Sequence, residues 1–294
     1  MLTQQKNRYA LDIFLGLFIL MLVAWVATRI RSELVYHWDW GAIWQYLFRY
    51  DTEKARWVTN LLMHGFFTTI RLSVWATLLA MIIGTIMGLM RLSRSFLNRL
   101  LSRLYVEMIR NMPPLVLIFI FYYFISDQFL PFLELERLMV KIPENFQPIM
   151  ATLFGPPEQI IPFLSALFTL AIFEGAYITE IVRAGIASID IGQWEASSAL
   201  GMNRYQQLRK AILPQTIHRI LPPLAGQFIS TIKDSAIVAV ISIPDLTFQG
   251  MELMAATYLT FEVWITITVM YLLLTLPCSL AIRRLELYFG RYAH

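Results

Sequence analysis

Ala187-Ser-Ile-Asp-Ile-Gly-Gln-Trp-Glu-Ala-Ser-Ser-Ala-Leu-Gly201 runs into Met202-Asn-Arg-Tyr-Gln-Gln-Leu-Arg-Lys-Ala-Ile-Leu-Pro214, a polar stretch between two apolar ones. A structureless loop of this length inside a folded unit is uncommon, and this stretch carries helix punctuation. Asp190 is an N-cap residue type, and Gly201 suits the position just past a helix end. Asn203 can cap a second short helix, expected to end before Pro214. The stretch therefore reads as helix, glycine turn, helix. It exposes Glu195 beside the small residues Ala196, Ser197 and Ser198, a narrow surface able to enter a groove on a partner.

The flanking sequence decides the setting. Of 294 residues, 57% are hydrophobic and only 15% are charged, against roughly 45–50% and about 25% in soluble domains. The excess sits in blocks such as Leu11–Ala27, Leu72–Met90, Leu115–Ile125 and Ile265–Ile282. Several approach the roughly 18–20 residues that cross a hydrocarbon core, without the polar face of a soluble helix. Six spanning helices are expected, over about 11–27, 57–90, 104–126, 161–182, 221–243 and 263–282. An all-α integral membrane protein follows. The first block lacks a small-residue cleavage site before Arg29 and reads as a retained anchor. Prolines 131, 143, 148, 156, 157 and 162 mark a long connection between the third and fourth spans. Gly84-Thr-Ile-Met-Gly88 in the second places small residues four apart, as close helix packing in lipid requires.

Basic residues give the orientation, because cytoplasmic loops carry the excess of Lys and Arg. With the N-terminus inside, Arg91, Arg94, Arg99 and Arg103, then Arg204, Arg209, Lys210 and Arg219, then Arg283 and Arg284 share the cytoplasmic side. Both termini then lie there, as does the 187–214 stretch. The net charge of +4 is mild and confined to short loops, which speaks for a membrane and against nucleic acid. Cys278 is the single cysteine, so no disulfide forms within the chain.

Glu195-Ala196, Gly201 and Ile212-Leu213-Pro214 resemble the EAA loop of permease subunits of bacterial ABC importers, with Ser197 at the third EAA position. The likeness extends over roughly 60–285. Thr68-Thr-Ile-Arg-Leu-Ser73, Arg91-Leu-Ser93, Tyr105-Val-Glu-Met-Ile-Arg110, Gly175-Ala-Tyr-Ile-Thr-Glu180, Arg183-Ala-Gly185, Gly192-Gln193, Leu213-Pro-Gln215 and Lys233-Asp-Ser235 resemble the polar amino acid permease family, the histidine- and glutamine-permease group. Two stretches depart from it. Arg110-Asn-Met-Pro113 stands where that family usually has Arg-Gly-Thr-Pro, and Lys233-Asp-Ser-Ala-Ile237 where it has Lys-Asp-Thr-Ser-Leu.

The resemblance implies a type I ABC importer permease fold, a five-helix core preceded by an extra N-terminal helix. Residues 1–56 would form that helix and an outer loop, 57–285 the permease domain, and 286–294 a cytoplasmic tail. It also implies import of polar or charged amino acids by alternating access across the bacterial cytoplasmic (inner) membrane. Glu195, Ala196 and Gly201 would couple to a cytoplasmic ABC ATPase dimer, which carries the ATP and Mg; this chain binds no cofactor. Further implied partners are an extracytoplasmic solute-binding protein, the amino acid cargo, membrane lipid and a second permease. The extra helix and the long 127–160 connection favour a heterodimer over a homodimer.

Ionisable residues at membrane depth are expensive and mark pathways or structural pairs. Glu174, before Gly175, can receive a cargo ammonium group or form a salt bridge with Lys233 or Arg71. Tyr177 shares its helix face. Lys233 and Asp234 point about 100° apart on a helix and so need separate partners. Arg110 precedes Pro113-Pro114, which break the backbone ladder. Glu180 and Arg183, at i and i+3, read as a structural pair, and His64 and His218 stand apart. No Gly-x-x-x-x-Gly-Lys-Ser/Thr loop, His-Glu-x-x-His or Gly-x-Ser-x-Gly occurs, so no catalytic residue or metal ligand is expected. An ion-coupled secondary transporter or channel would explain the buried charges but not the helix–turn–helix stretch.

Overall fold

The computed structural model describes residues 13–22, 24–25, 28–29, 36–53, 55–125, 128, 146–156 and 159–290. Much of the expected 127–160 outer connection lies outside them. The chain divides into two compact units, residues 1–40 and 41–294. In the first, α1 (Ile13–Leu22) is a short apolar helix within the first expected span.

The second unit begins with α2 (Gly41–Leu47) and an antiparallel hairpin, β1 (Phe48–Asp51) with β2 (Arg56–Thr59), in register Phe48↔Thr59 to Asp51↔Arg56. The expected helix from Trp57 is thus a strand at its start. Tyr50 stacks edge-on against Trp57 across the ladder, the cross-strand aromatic pairing that favours a sheet. Asn60 ends the hairpin. Its side chain donates to the Gln45 carbonyl at 2.6 Å and its backbone N–H to that of Leu47 at 2.9 Å.

Next comes α3 (Leu61–Arg91), long enough and apolar enough to cross a membrane. The third expected span is two helices, α4 (Phe96–Asn111) and α5 (Pro114–Phe124), bent by 119°. Pro113 and Pro114 supply no backbone donors, so the ladder breaks between them. After α6 (Gln147–Phe154), α7 (Ile160–Ala187) packs along α3 as the central pair. The glycines set that distance: a Cβ on Gly84 would lie 2.5 Å from Ile178 Cγ2, and one on Gly88 2.8 Å from Val182 Cγ1. Tyr105 on α4 donates to the Ile172 carbonyl at 2.6 Å, and Ser102 to that of Met87 at 2.7 Å. These bonds tie α4 to both central helices.

The chain then forms α8 (Ile191–Ala199) and α9 (Arg204–Gln206), which opens into a π-turn over Gln207–Ile212 and continues as α10 (Leu213–Asp234). The second short helix does not stop before Pro214 as expected. The wider turn upstream absorbs the proline's missing N–H, and the helix runs on. A 3₁₀ segment (Ser235–Ile241) and α11 (Leu246–Thr257) precede the final α12 (Thr260–Gly290). Among the described residues four helices meet the length and apolarity of a span, or five if the bent α4–α5 pair counts as one. In the most apolar window of α7 67% of residues are buried, but only 11% in that of α12. The first is a core helix and the second faces outward.

Candidate functional site

Two regions collect the residues singled out above. The first is a half-sealed charge cluster. Glu174 on α7 has no exposed surface. Its Oε2 accepts from Gln227 Nε2 on α10 at 2.5 Å, and its Oε1 has no hydrogen-bond partner. The Asp234 carboxyl and the Thr231 hydroxyl lie close enough to act on it directly. Two carboxylates at close range in a low-dielectric setting need a cation or a proton between them. The alternative, a salt bridge to Lys233 or Arg71, does not form. Lys233 is exposed and acts on Asp234 from another face, while Arg71 donates to the Ala151 carbonyl at 3.0 Å and to Thr68 Oγ1 at 3.0 Å.

Tyr177, one turn along α7, carries the Arg110 guanidinium over its ring at 5.4 Å and stacks edge-on against Phe173. Arg110, Glu174 and Asp234 all act electrostatically on Tyr177. The fold therefore gathers Glu174, Tyr177, Asp234 and Arg110, with Lys233 at the margin. The open face of Gly175 is filled by the Tyr105 hydroxyl, 2.7 Å from where a Cβ would stand. Gln227 and Thr231 were not anticipated. Their spacing with Asp234, i, i+4 and i+7, is a polar stripe on one helical face and was visible in the sequence.

The second region is the helical hairpin. Asp190 Oδ1 accepts from the Gly192 N–H at 2.6 Å. At the far end of α8, the Gly201 N–H reaches the Ser198 carbonyl at 2.9 Å and the Met202 N–H reaches that of Ser197 at 3.2 Å. This paired closure needs a left-handed residue, and Gly201 has φ +73. Asn203 and Gln206 then form a reciprocal capping box, both bonds 2.9 Å. Arg204 lies 4.6 Å over the Trp194 ring, and Gln215 reaches Gln193 at 3.0 Å, so the two arms are held together. Glu195 and Ala196 are exposed as expected, but Ser197 turns inward and donates to the Trp194 carbonyl at 2.9 Å. The exposed surface includes three large side chains the sequence reading passed over: Ile191, Leu200 and Tyr205, each more than 65% exposed.

Glu180 accepts from Arg183 at 2.8 Å, the expected structural pair, and also from Arg91 at 2.7 Å. Among the described residues no group of His, Cys, Asp and Glu could hold a metal ion.

Residues 80–291 match the family described as binding-protein-dependent transport system inner membrane component. The chain belongs to this family. The glutamine transport system permease protein GlnP of Escherichia coli K12 is 32% identical over 248 residues, which cover 84% of this chain and 96% of that protein. The glutamate/aspartate import permease protein GltJ of the same organism is 30% identical over 240 residues, covering 81% and 89%. Among solved structures, an amino acid ABC transporter crystallised with histidines superposes with TM-score 0.64 at 30% identity, over 87% of this chain and 100% of that one. An inward-facing form of the methionine transporter MetNI shares the fold, with TM-score 0.56 at 18% identity. The fold is thus that of a type I ABC permease.

Proposed function

We propose that the chain is the membrane-spanning subunit of an ATP-driven importer of polar or charged amino acids. The observation that carries this reading is the capped hairpin of residues 190–213. It presents Glu195 among exposed Ile191, Leu200 and Tyr205 in a chain without a phosphate loop of its own. An exposed apolar patch rimmed by charge is a partner surface, and the energy must come from that partner. The names of the relatives, permeases for glutamine and for glutamate and aspartate, support amino acid cargo.

In this reading a cytoplasmic ABC ATPase dimer, holding ATP and Mg, closes and pulls on the hairpin. Because α8 follows α7 after three residues, and α9 continues through α10, the pull moves both helices that carry the cargo cluster. Glu174 and Asp234 would receive the cargo's ammonium group, and Arg110 beside Tyr177 its carboxylate. ATP binding shifts the population between inward-open and outward-open states by its differential affinity for them. An extracytoplasmic solute-binding protein delivers the amino acid, and a second permease, in a heterodimer, completes the pathway. The chain then lies in the bacterial inner membrane with its termini and hairpin cytoplasmic.

The test is uptake in vesicles containing the reconstituted complex. The double variant Glu195→Lys, Gly201→Asp inserts normally but loses transport by about 5- to 150-fold, the range of ordinary coupling energies. Normal ATP-dependent uptake by that variant, or uptake driven by an ion gradient without ATP, overturns the reading.

A further inference from the structure

The transport reading leaves unused a basic pocket where α3 ends and α4 begins. A cavity of about 330 Å³ is lined by Arg91, Phe96, Arg99, Leu100 and Arg103. We infer that this pocket binds the phosphate of an anionic phospholipid from the adjacent leaflet, with the acyl chains lying along the exposed apolar face of α4.

Three guanidinium groups around one cavity form an anion site, because Arg presents planar, forked donors suited to phosphate oxygens. Among the described residues the local carboxylates leave two of the three, Arg99 and Arg103, without an ion pair. Glu180 is shared between Arg91 at 2.7 Å and Arg183 at 2.8 Å, and Glu107, one turn beyond Arg103, accepts from Asn111 at 3.0 Å. Arg99 Nη1 is bonded to the carbonyls of Ser93 at 2.8 Å and Arg94 at 2.7 Å, which aims the guanidinium. Among the described residues Arg103 has no ion pair.

The apolar neighbours choose between a free anion and a lipid. Phe96 is 71% exposed, and Leu100 and Leu104 continue the face along the helix. A soluble phosphate has no use for that surface, but a lipid headgroup brings chains that cover it. A basic pocket at the end of a spanning helix also lies at headgroup level, where anionic lipids attract each Lys or Arg. The inference rests on the reading that residues 92–95 lie at the membrane surface, on the same side as the 190–213 hairpin.

The experiment uses the purified full chain in detergent, with added phosphatidylglycerol or phosphatidylcholine, and counts retained lipids by native mass spectrometry. The wild type holds one phosphatidylglycerol in preference to phosphatidylcholine. Losing two arginines at headgroup level in Arg99→Gln, Arg103→Gln weakens that retention about thirtyfold. Arg103→Gln alone, which breaks no bond among the described residues, gives a smaller loss in the same direction and guards against a folding artefact. Arg283→Gln, Arg284→Gln, a basic pair elsewhere, leaves retention unchanged. Equal binding of the two lipids, equal loss in the 283–284 variant, or full displacement by inorganic phosphate overturns the proposal. The underlying topology is read separately. With Cys278→Ser as background, Ser95→Cys and Glu195→Cys label from the same side of sealed vesicles. If they do not, that topology fails, whatever the lipid result.

Discussion

A charged side chain near the centre of a membrane helix costs roughly 2.5–3.5 kcal/mol, and Glu174 is sealed from solvent with one oxygen unpartnered. Gln227 bonds one oxygen, and in the proposed function the other receives the cargo's ammonium group. Glu174→Gln keeps the volume and removes the charge. We expect it to weaken uptake of cationic and zwitterionic amino acids about tenfold, the loss of one charge-assisted contact, while protein yield in the membrane stays normal. Unchanged kinetics across acidic, neutral and basic amino acids return Glu174 to a structural role. Gln227→Leu removes the donor of the 2.5 Å bond to Glu174. That substitution should lower thermal stability by about 1–3 kcal/mol, read as a drop in the unfolding midpoint in detergent. The sequence showed that Glu174 was anomalous, because a carboxylate in an apolar run is unmistakable. It did not show the partner. The pairing with Gln227 joins helices far apart in the chain, and only the packing of α7 on α10 selects it over Lys233.

At the scale of elements, the hairpin was the most legible part of the chain, because every signal in it is local. The Asp190 cap, the Gly201 turn and the Asn203 box act within a few residues of themselves, and each stands where the sequence put it. The continuation through Pro214 was not legible, since proline ordinarily ends a helix before it and no local residue marks the π-turn that carries the helix on. Gly201→Ala forces a Cβ into a left-handed turn at about 1–2 kcal/mol. It should speed amide hydrogen exchange from Ser197 to Met202 without changing the spans. The α3–α7 contact makes the opposite kind of demand. Gly88→Leu drives a side chain into Val182 and the Thr179 carbonyl, so overpacking should cost about 1–3 kcal/mol. Gly226→Ala, with nothing within 4 Å of its Cβ, should leave the unfolding midpoint level or raise it, as helix propensity gains about 0.5–1 kcal/mol.

At the scale of the whole molecule, the bend between α4 and α5 sets the topology. If the pair is one broken span, residues 146–156 lie on the same side as the 48–59 hairpin. If it is a re-entrant loop, they lie on the side of Arg94. We propose the first, on the packing of α3 against residues 146–156. Arg71 Nη1 donates to the Ala151 carbonyl at 3.0 Å and Trp75 Nε1 to that of Leu153 at 3.1 Å. Both donors lie on the half of α3 nearer the hairpin, so α6 covers that end. Parity agrees: α7 must then cross once to deliver Ala187 and the 190–213 hairpin to the side where α3 ends. Single cysteines in a Cys278→Ser background test the whole path with a membrane-impermeant maleimide. Tyr50→Cys and Ile149→Cys, both at exposed positions, should label in intact cells. Glu195→Cys should label only in inside-out vesicles. Labelling of Ile149→Cys only in inside-out vesicles would put it on the side of Arg94 and make the α4–α5 pair a re-entrant loop, so that one crossing by α7 would leave the 190–213 hairpin outside, against the proposed drive by a cytoplasmic ATPase.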